Sequence, residues 1–188
     1  MKKINLFFIL VLTFTIFLTA CGKKEANDLE GIKAKGKLVI GLDDTFAPMG
    51  FKDDKGEIVG FDIDLAKEVA KRLGVEAEFK PTEWSGIVFE LKGKKIDVVW
   101  NGMTITEERK AQIAFSNPYM SNSQIIVTLT NSPLTKKEDL KSKNIGLQLG
   151  SSSFDAVSAD PISKEFKEIK KYSTNVEALL DLEAGRID

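Results

Sequence analysis

Hydrophobic positions along the chain form short apolar runs separated by stripes with the period of a helix. The run Lys37–Leu42 is typical of a buried strand. Between residues 62 and 73 the apolar side chains fall on one helical stripe, and Gly74 follows as a stop signal. The pattern therefore predicts a buried strand followed by an amphipathic helix.

Further segments continue this alternation. The predicted strands are 75–80, 96–100, 124–129, 144–149 and 169–172, with a small hairpin between 50–52 and 57–59. The predicted helices are 82–92 capped by Thr82, 107–110 capped by Thr106, 136–140 capped by Thr135, one from about Phe154, and 175–184. Strands that alternate with helices predict an α/β fold with mostly parallel sheets.

The first twenty residues have the pattern of a secretory signal. Lys2 and Lys3 precede an uncharged run over 4–20, whose length alone would also suit a transmembrane helix. Leu18-Thr19-Ala20-Cys21 resembles the bacterial lipobox, in which the cysteine is lipidated and begins the mature chain. We therefore predict a signal peptide over 1–20 and a lipid-anchored tether over 21–29.

Composition narrows the chemistry. The chain has no histidine and one cysteine, which excludes a histidine base, a Ser-His-Asp triad, an intrachain disulfide and a cysteine zinc cluster. A formal net charge of −1 gives no sign of a nucleic-acid partner. We expect no metal site and no cofactor.

Three loops follow predicted strands, where ligands of α/β sheets bind: 43–49, 101–106 and 150–153. The guanidinium of Arg109 suits a carboxylate, although a surface ion pair is its commoner role. The serines after Gly150 suit either an anion site or a plain helix cap. Phe46 and Trp84 suit either a pocket wall or the core, and Asp43 either a ligand contact or a turn.

Several motifs occur in a fixed order along the chain. They are Gly41 to Met49, Val59-Gly60-Phe61-Asp62-Ile63-Asp64-Leu65-Ala66, Trp84-Ser85-Gly86-Ile87, Lys95-Ile96-Asp97-Val98, Gly102 to Arg109, Phe115-Ser116-Asn117-Pro118-Tyr119, Gly146 to Ser152 and Asn175 to Asp188. Together they resemble the amino-acid-binding receptors of ABC importers, known as solute-binding family three.

The resemblance implies a two-lobed, periplasmic-binding-protein-like fold of type II, in which a two-stranded hinge joins the lobes and a ligand binds between them. Lobe one would span 30–121 and lobe two 122–188. The family pattern continues past Asp188 into a strand with an aspartate for the ligand ammonium and then returns to lobe one. The fold is therefore expected to be incomplete at the C-terminus.

Matching positions imply a ligand site. Arg109 would bind the α-carboxylate with the backbone of Thr104 and Ser152, Gly102 and Thr104 would meet the α-ammonium, and Phe46 and Trp84 would flank the ligand side chain. The full set is Asp43, Phe46, Trp84, Asn101, Gly102, Thr104, Arg109, Gln148, Ser151 and Ser152.

The function implied is that of an extracytoplasmic receptor, anchored to the cell membrane by lipid on Cys21. It would bind an amino acid, with a polar one favoured, and deliver it to the permease subunits of an ABC importer. No enzymatic activity is expected. The alternatives are a ligand-sensing domain of a signalling protein and a dehydratase, since relatives of this fold serve both roles.

Overall fold

A computed structural model describes residues 28–188, and the predicted signal peptide and Cys21 lie outside this range. The strands are β1 (Lys37–Leu42), β2 (Thr45–Phe46), β3 (Gly50–Lys52), β4 (Ile58–Val59), β5 (Glu76–Pro81), β6 (Val98–Val99), β7 (Asn144–Gln148) and β8 (Glu168–Tyr172). The α-helices are α1 (Asp28–Lys35), α2 (Phe61–Leu73), α3 (Ile87–Lys92), α4 (Glu107–Lys110), α5 (Ser152–Ala159) and α6 (Asn175–Glu183).

The described residues divide into two units, 28–35 and 36–188. In the first unit, α1 has acidic residues in its first turn and lysines in its last, which suits the helix dipole. No residue of α1 is buried.

The first sheet of the second unit is parallel, with strand order β5-β1-β6. Its central strand β1 is buried from Leu38 to Leu42. The apolar stripe of α2 packs against this sheet and places Ile63 and Ala66 in the core, both fully buried. Gly74 ends α2 in the left-handed conformation, with φ 75°, as the stop signal predicts.

An antiparallel ribbon of β2, β3 and β4 follows the first strand. It confirms the predicted hairpin between 50–52 and 57–59, closed by a turn in which Gly56 has φ 81°. The Ala47–Pro48 peptide bond in the preceding loop is cis. The ribbon leads the chain back to the start of α2.

The second sheet consists of β7 and β8, which pair in parallel over five residues. Helices α5 and α6 follow the two strands. Ser151 caps α5 by accepting a hydrogen bond from the Phe154 N–H, and Thr174 caps α6 with Glu177 bonding back to the Thr174 N–H. The predicted α/β fold with parallel sheets is thus confirmed. Within residues 28–188 no helix is both long and apolar enough to cross a bilayer.

The strand predicted over 124–129 is wrong. The segment forms no strand, and the side chains of Ile125 and Ile126 are 80% and 55% exposed. A strand requires a hydrogen-bonded neighbour, and none of the strands in the described part of the chain pairs with this segment.

Two further predictions need correction. The strand predicted over 96–100 is observed only over Val98–Val99, as β6. The Asp97 carboxylate accepts the hydrogen bond of the Val39 N–H at 2.7 Å, in the place of a main-chain carbonyl from this strand. Thr82 does not cap a helix, since its hydroxyl donates to the Lys80 carbonyl at 3.0 Å. A 3₁₀ turn over Trp84–Gly86 precedes α3 instead.

The segment predicted as a helix over 136–140 is a 3₁₀ turn, Lys137–Leu140. Thr135 lies outside the cap position, and its hydroxyl and N–H both donate to the Asp139 carboxylate. By contrast, Thr106 caps α4 as predicted by accepting from the Arg109 N–H.

Candidate functional site

A cavity of about 490 Å³ lies among the loops that follow the strands of both parallel sheets. All ten residues predicted as ligand contacts line this cavity: Asp43, Phe46, Trp84, Asn101, Gly102, Thr104, Arg109, Gln148, Ser151 and Ser152. Their convergence follows from the topology, because the carboxyl ends of parallel strands open on the same edge of a sheet. Their part in binding stays a prediction.

Arg109 is held at the cavity wall by two hydrogen bonds and a ring contact. It lies on α4, is 8% exposed, and donates from its two terminal nitrogens to the carbonyl oxygens of Thr104 and Gly150, each at 2.9 Å. Its guanidinium carbon lies 5.9 Å from the ring centroid of Trp84, a cation–π distance. These contacts orient the guanidinium, which keeps further N–H groups for a ligand.

The charge of Arg109 has no counter-ion in the described part of the chain, so the surface ion pair that its residue type favours does not form. Burial lowers the pKa of the guanidinium, and the more distant carboxylates of Asp155 and Glu108 oppose this. A guanidinium stays charged in proteins. A buried, unpaired cation at a cavity wall is costly until an anion binds there.

Asp43 connects the two sides of the cavity. Its Oδ1 accepts from the Thr45 N–H at 2.9 Å and from the Thr45 hydroxyl at 2.6 Å, the turn geometry expected of an aspartate in this loop. Its Oδ2 accepts from the Gln148 amide at 2.7 Å, 105 residues away. Gln148 also donates to the Ser173 carbonyl and accepts from Asn175, so the pair is anchored on the second sheet.

The loop after β6 supplies Asn101, Gly102 and Thr104. The Asn101 Oδ1 accepts from the Asp43 N–H at 3.2 Å. Gly102 has φ 60°, and a Cβ built on it would lie 3.5 Å from the Phe46 ring. The Thr104 hydroxyl oxygen accepts a hydrogen bond from the Ser152 hydroxyl at 3.1 Å.

Asn122 and Gln124 are among the cavity residues that the sequence analysis does not predict. The Asn122 amide donates to the Thr104 hydroxyl oxygen at 2.8 Å, and the Gln124 amide donates to the Ser152 hydroxyl oxygen at 3.1 Å. Gln124 belongs to the segment 124–129. Because this segment was wrongly predicted as a strand, Gln124 was not considered as a cavity residue. Their side chains extend the polar lining between the two sheets.

The cavity thus offers a cation, two acidic side chains, hydroxyl and amide groups, and three aromatic rings. Among residues 28–188 no group of three or more acidic or sulfur side chains lies close enough to hold a metal ion. Separated positive and negative groups inside one small cavity suit a zwitterion with a polar side chain.

Comparison with known proteins identifies the family. Residues 38–187 match the family of bacterial extracellular solute-binding proteins, family 3. The chain belongs to this family, and the resemblance noted from its motifs is confirmed.

Two curated relatives illustrate the match. The chain is 38% identical over 162 residues to the L-cystine-binding protein TcyJ of Escherichia coli (strain K12), which covers 85% of this chain and 60% of that protein. It is 39% identical over 137 residues to the arginine-binding extracellular protein ArtP of Bacillus subtilis (strain 168), covering 73% of this chain and 52% of ArtP. The chain therefore spans little more than half the length of these relatives.

Solved structures agree on the fold. A substrate-binding protein of an ABC uptake transporter from Streptococcus pneumoniae, solved with bound histidine, superposes with a TM-score of 0.84 at 38% identity, covering 88% of this chain and 69% of that one. The ancestral amino-acid-binding protein AncCDT-1, described as a precursor of cyclohexadienyl dehydratase, gives 0.79 at 41% identity, covering 85% and 70%. The predicted type II, two-lobed fold class is confirmed.

Proposed function

We propose that this protein is an extracytoplasmic receptor that binds a free amino acid in the cavity between its two parallel sheets. Residues 30–121 and 122–188 form the two lobes, and the ligand binds where the loops of both meet. The receptor then delivers the amino acid to the permease subunits of an ABC importer, the role implied by its family.

The observation that carries the proposal is Arg109. Its buried, unpaired guanidinium lines the cavity and is oriented by the carbonyls of Thr104 and Gly150. A planar cation held in this way suits the bidentate binding of a carboxylate. Every free amino acid carries that group, so Arg109 defines the class of ligand rather than the individual one.

The individual ligand is set by the far side of the cavity. Asp43 and Gln148 provide a carboxylate and an amide there, with the rings of Phe46 and Trp84 on the cavity wall. We propose that the ligand has a polar or cationic side chain that bonds to Asp43, because a buried carboxylate favours a cationic or hydrogen-bonding partner. Arginine, histidine and cystine appear in the names of the relatives and are the first amino acids to test.

Thermal melts of the protein with each of the twenty amino acids and with cystine test the function. We expect one amino acid, or a small chemically related group, to raise the melting temperature by roughly 5 °C or more at a concentration a hundredfold above its dissociation constant. Ligands that bind the folded state alone stabilise it in this way. If none of them shifts the transition, the receptor assignment is wrong.

We further propose that the protein binds its ligand without transforming it. Asp43 and Asp188 are the acidic side chains of the cavity wall, and the Asp188 carboxylate is bonded to Lys143 and to the Asn144 N–H. With no histidine in the chain, general acid–base catalysis would have to rest on these two carboxylates, and Asp43 is likewise bonded, to Thr45 and Gln148. AncCDT-1 is described as a precursor of a dehydratase, but the residues that line this cavity give the dehydratase alternative little support.

The proposed location is the outer face of the cell membrane, with the chain anchored by lipid at Cys21. Changing Cys21 to Ala should remove lipid labelling and release the protein from the membrane fraction, because the thiol is the attachment point. Metabolic labelling with a fatty-acid analogue, followed by fractionation, measures both effects. Equal labelling of the variant and the parent would exclude lipidation at this residue.

A further inference from the structure

A second polar cluster, buried at Asp62 and half-exposed at Tyr119, lies next to the cavity and contacts it at Gly102. Asp62, in the first turn of α2, is fully buried and bonds through its N–H to the Met49 carbonyl. The Tyr119 hydroxyl donates to Asp62 Oδ1 at 2.9 Å and accepts from the Gly102 N–H at 3.3 Å. Neither Asp62 nor Tyr119 lines the cavity itself.

This cluster is costly for the stability of the fold. Burial raises the pKa of the Asp62 carboxyl, while hydrogen bonds from the Tyr119 hydroxyl and the Gly102 backbone oppose the rise. Burial and the neighbouring carboxylate raise the pKa of Tyr119. Within the described residues, Asp62 Oδ2 and Trp100 Nε1 are buried without a hydrogen bond of good geometry. Apolar side chains would stabilise a purely structural contact better.

We propose that Asp62 and Tyr119 are positioning residues for the amino-acid site, an inference that rests on the proposed receptor function. The Tyr119 hydroxyl occupies the N–H of Gly102, so that this donor is not free for a ligand, and it holds Gly102 in its left-handed turn. Asp62 orients the hydroxyl by accepting its hydrogen bond, since a fixed acceptor leaves the phenol lone pairs for Gly102.

The turn at Gly102 sets the positions of the groups that follow it. Two residues later the Thr104 carbonyl accepts from Arg109, and the Thr104 hydroxyl oxygen accepts from Asn122. Tyr119 and Asn122 lie on one segment, which therefore contacts the loop at both Gly102 and Thr104. A shift of this loop would move the carbonyl that orients the guanidinium of Arg109.

Tyr119→Phe in the full chain tests the proposal, because it removes the hydroxyl and keeps the ring. We expect hydrogen exchange at the Gly102 amide to accelerate at least about tenfold, and affinity for L-arginine, L-histidine or L-cystine, whichever binds the parent, to fall at least about fivefold. Tyr172→Phe is the matched control. The Tyr172 hydroxyl also bonds a carboxylate, that of Asp181, but the residue does not line the cavity.

The two substitutions separate positioning from general stability. Both should lower the melting temperature by similar amounts, and the Tyr119 substitution alone should change Gly102 exchange and affinity. Gly102 exchange that matches the Tyr172 control, or an affinity within twofold of the parent, would overturn the proposal. A parent that binds none of the three probes is tested with the other amino acids; binding of none of them would contradict the receptor function, and the exchange rate would still decide the positioning role.

If Tyr119→Phe does not fold, Asp62→Asn provides the test. The amide oxygen still accepts from Tyr119 but without the charge, so we expect a smaller acceleration of Gly102 exchange, about threefold. Gly102 exchange unchanged in Asp62→Asn would overturn the proposal as well.

Discussion

Replacing Arg109 by Ala is expected to raise the dissociation constant for the amino acid about a hundredfold to ten-thousandfold. The ligand carboxylate would be buried in the cavity without its charged partner, which typically costs about 3–5 kcal/mol. The loss should be larger than a single contact suggests, because the carbonyls of Thr104 and Gly150 would also lose their donor. Isothermal titration calorimetry with the amino acid selected by the thermal melts measures the effect.

Arg72→Ala is the matched control for this substitution. Its side chain is 76% exposed and pairs with Glu68 one turn away on α2, a contact of small energetic value. We expect its affinity to stay within twofold of the parent. An Arg109 variant that also binds within threefold of the parent would remove this residue from the site.

Gly60→Ala is expected to destabilise the fold by about 3 kcal/mol or more, which for a chain of this size lowers the melting temperature by roughly 10 °C. Gly60 precedes α2 with φ 134°, a conformation that side chains rarely adopt. A Cβ there would lie 2.4 Å from the Met49 carbonyl oxygen and 2.9 Å from that of Pro48. Because both neighbours are backbone atoms, the clash cannot be relieved by rotating a side chain.

Gly56→Ala separates the two causes of this loss. Gly56 also has a positive φ, 81°, but a Cβ on it would meet no atom within 4 Å. This substitution should cost only the backbone strain, about 1 kcal/mol. Thermal melts of both variants make the comparison, and equal losses would show that the close approach to Met49 and Pro48 contributes nothing.

The sequence predicts the elements whose stability is decided locally. The helix over 62–73 forms because its apolar stripe and its glycine stop are both encoded within one segment, and it differs from α2 by one residue at its start. The cap at Thr106 was predictable for the same reason, since the hydroxyl needs only an N–H three residues away.

The segment 124–129 shows where local reasoning fails. Its apolar and β-branched residues favour a strand, but a strand exists only when a neighbour pairs with it, and that depends on distant parts of the chain. The shortening of β6 has a similar origin, because the Asp97 side chain competes for a main-chain donor on β1.

For the candidate site, too, local features could be predicted from the sequence and long-range contacts could not. The positions of Gly102 and Ser152 in loops after strands could be predicted, because parallel sheets direct these loops to one edge. The contact between Asp43 and Gln148 spans 105 residues, and no pattern within either segment indicates it. Asn122 was not predicted because it lies between predicted elements and in no motif. The contact between Asp62 and Tyr119 was not predicted because the two residues are 57 positions apart.

The most direct test of the central claim compares the affinity of the protein for its best amino acid with the affinity for the α-amide of the same amino acid. The amide keeps the side chain and the ammonium and loses the negative charge that Arg109 is proposed to bind. We expect the parent to bind the amide at least about a hundredfold more weakly, and the Arg109→Ala variant to distinguish the two ligands by less than threefold. Equal binding of acid and amide by the parent, or full discrimination by the variant, would contradict the assignment of this cavity as an amino-acid site built around Arg109.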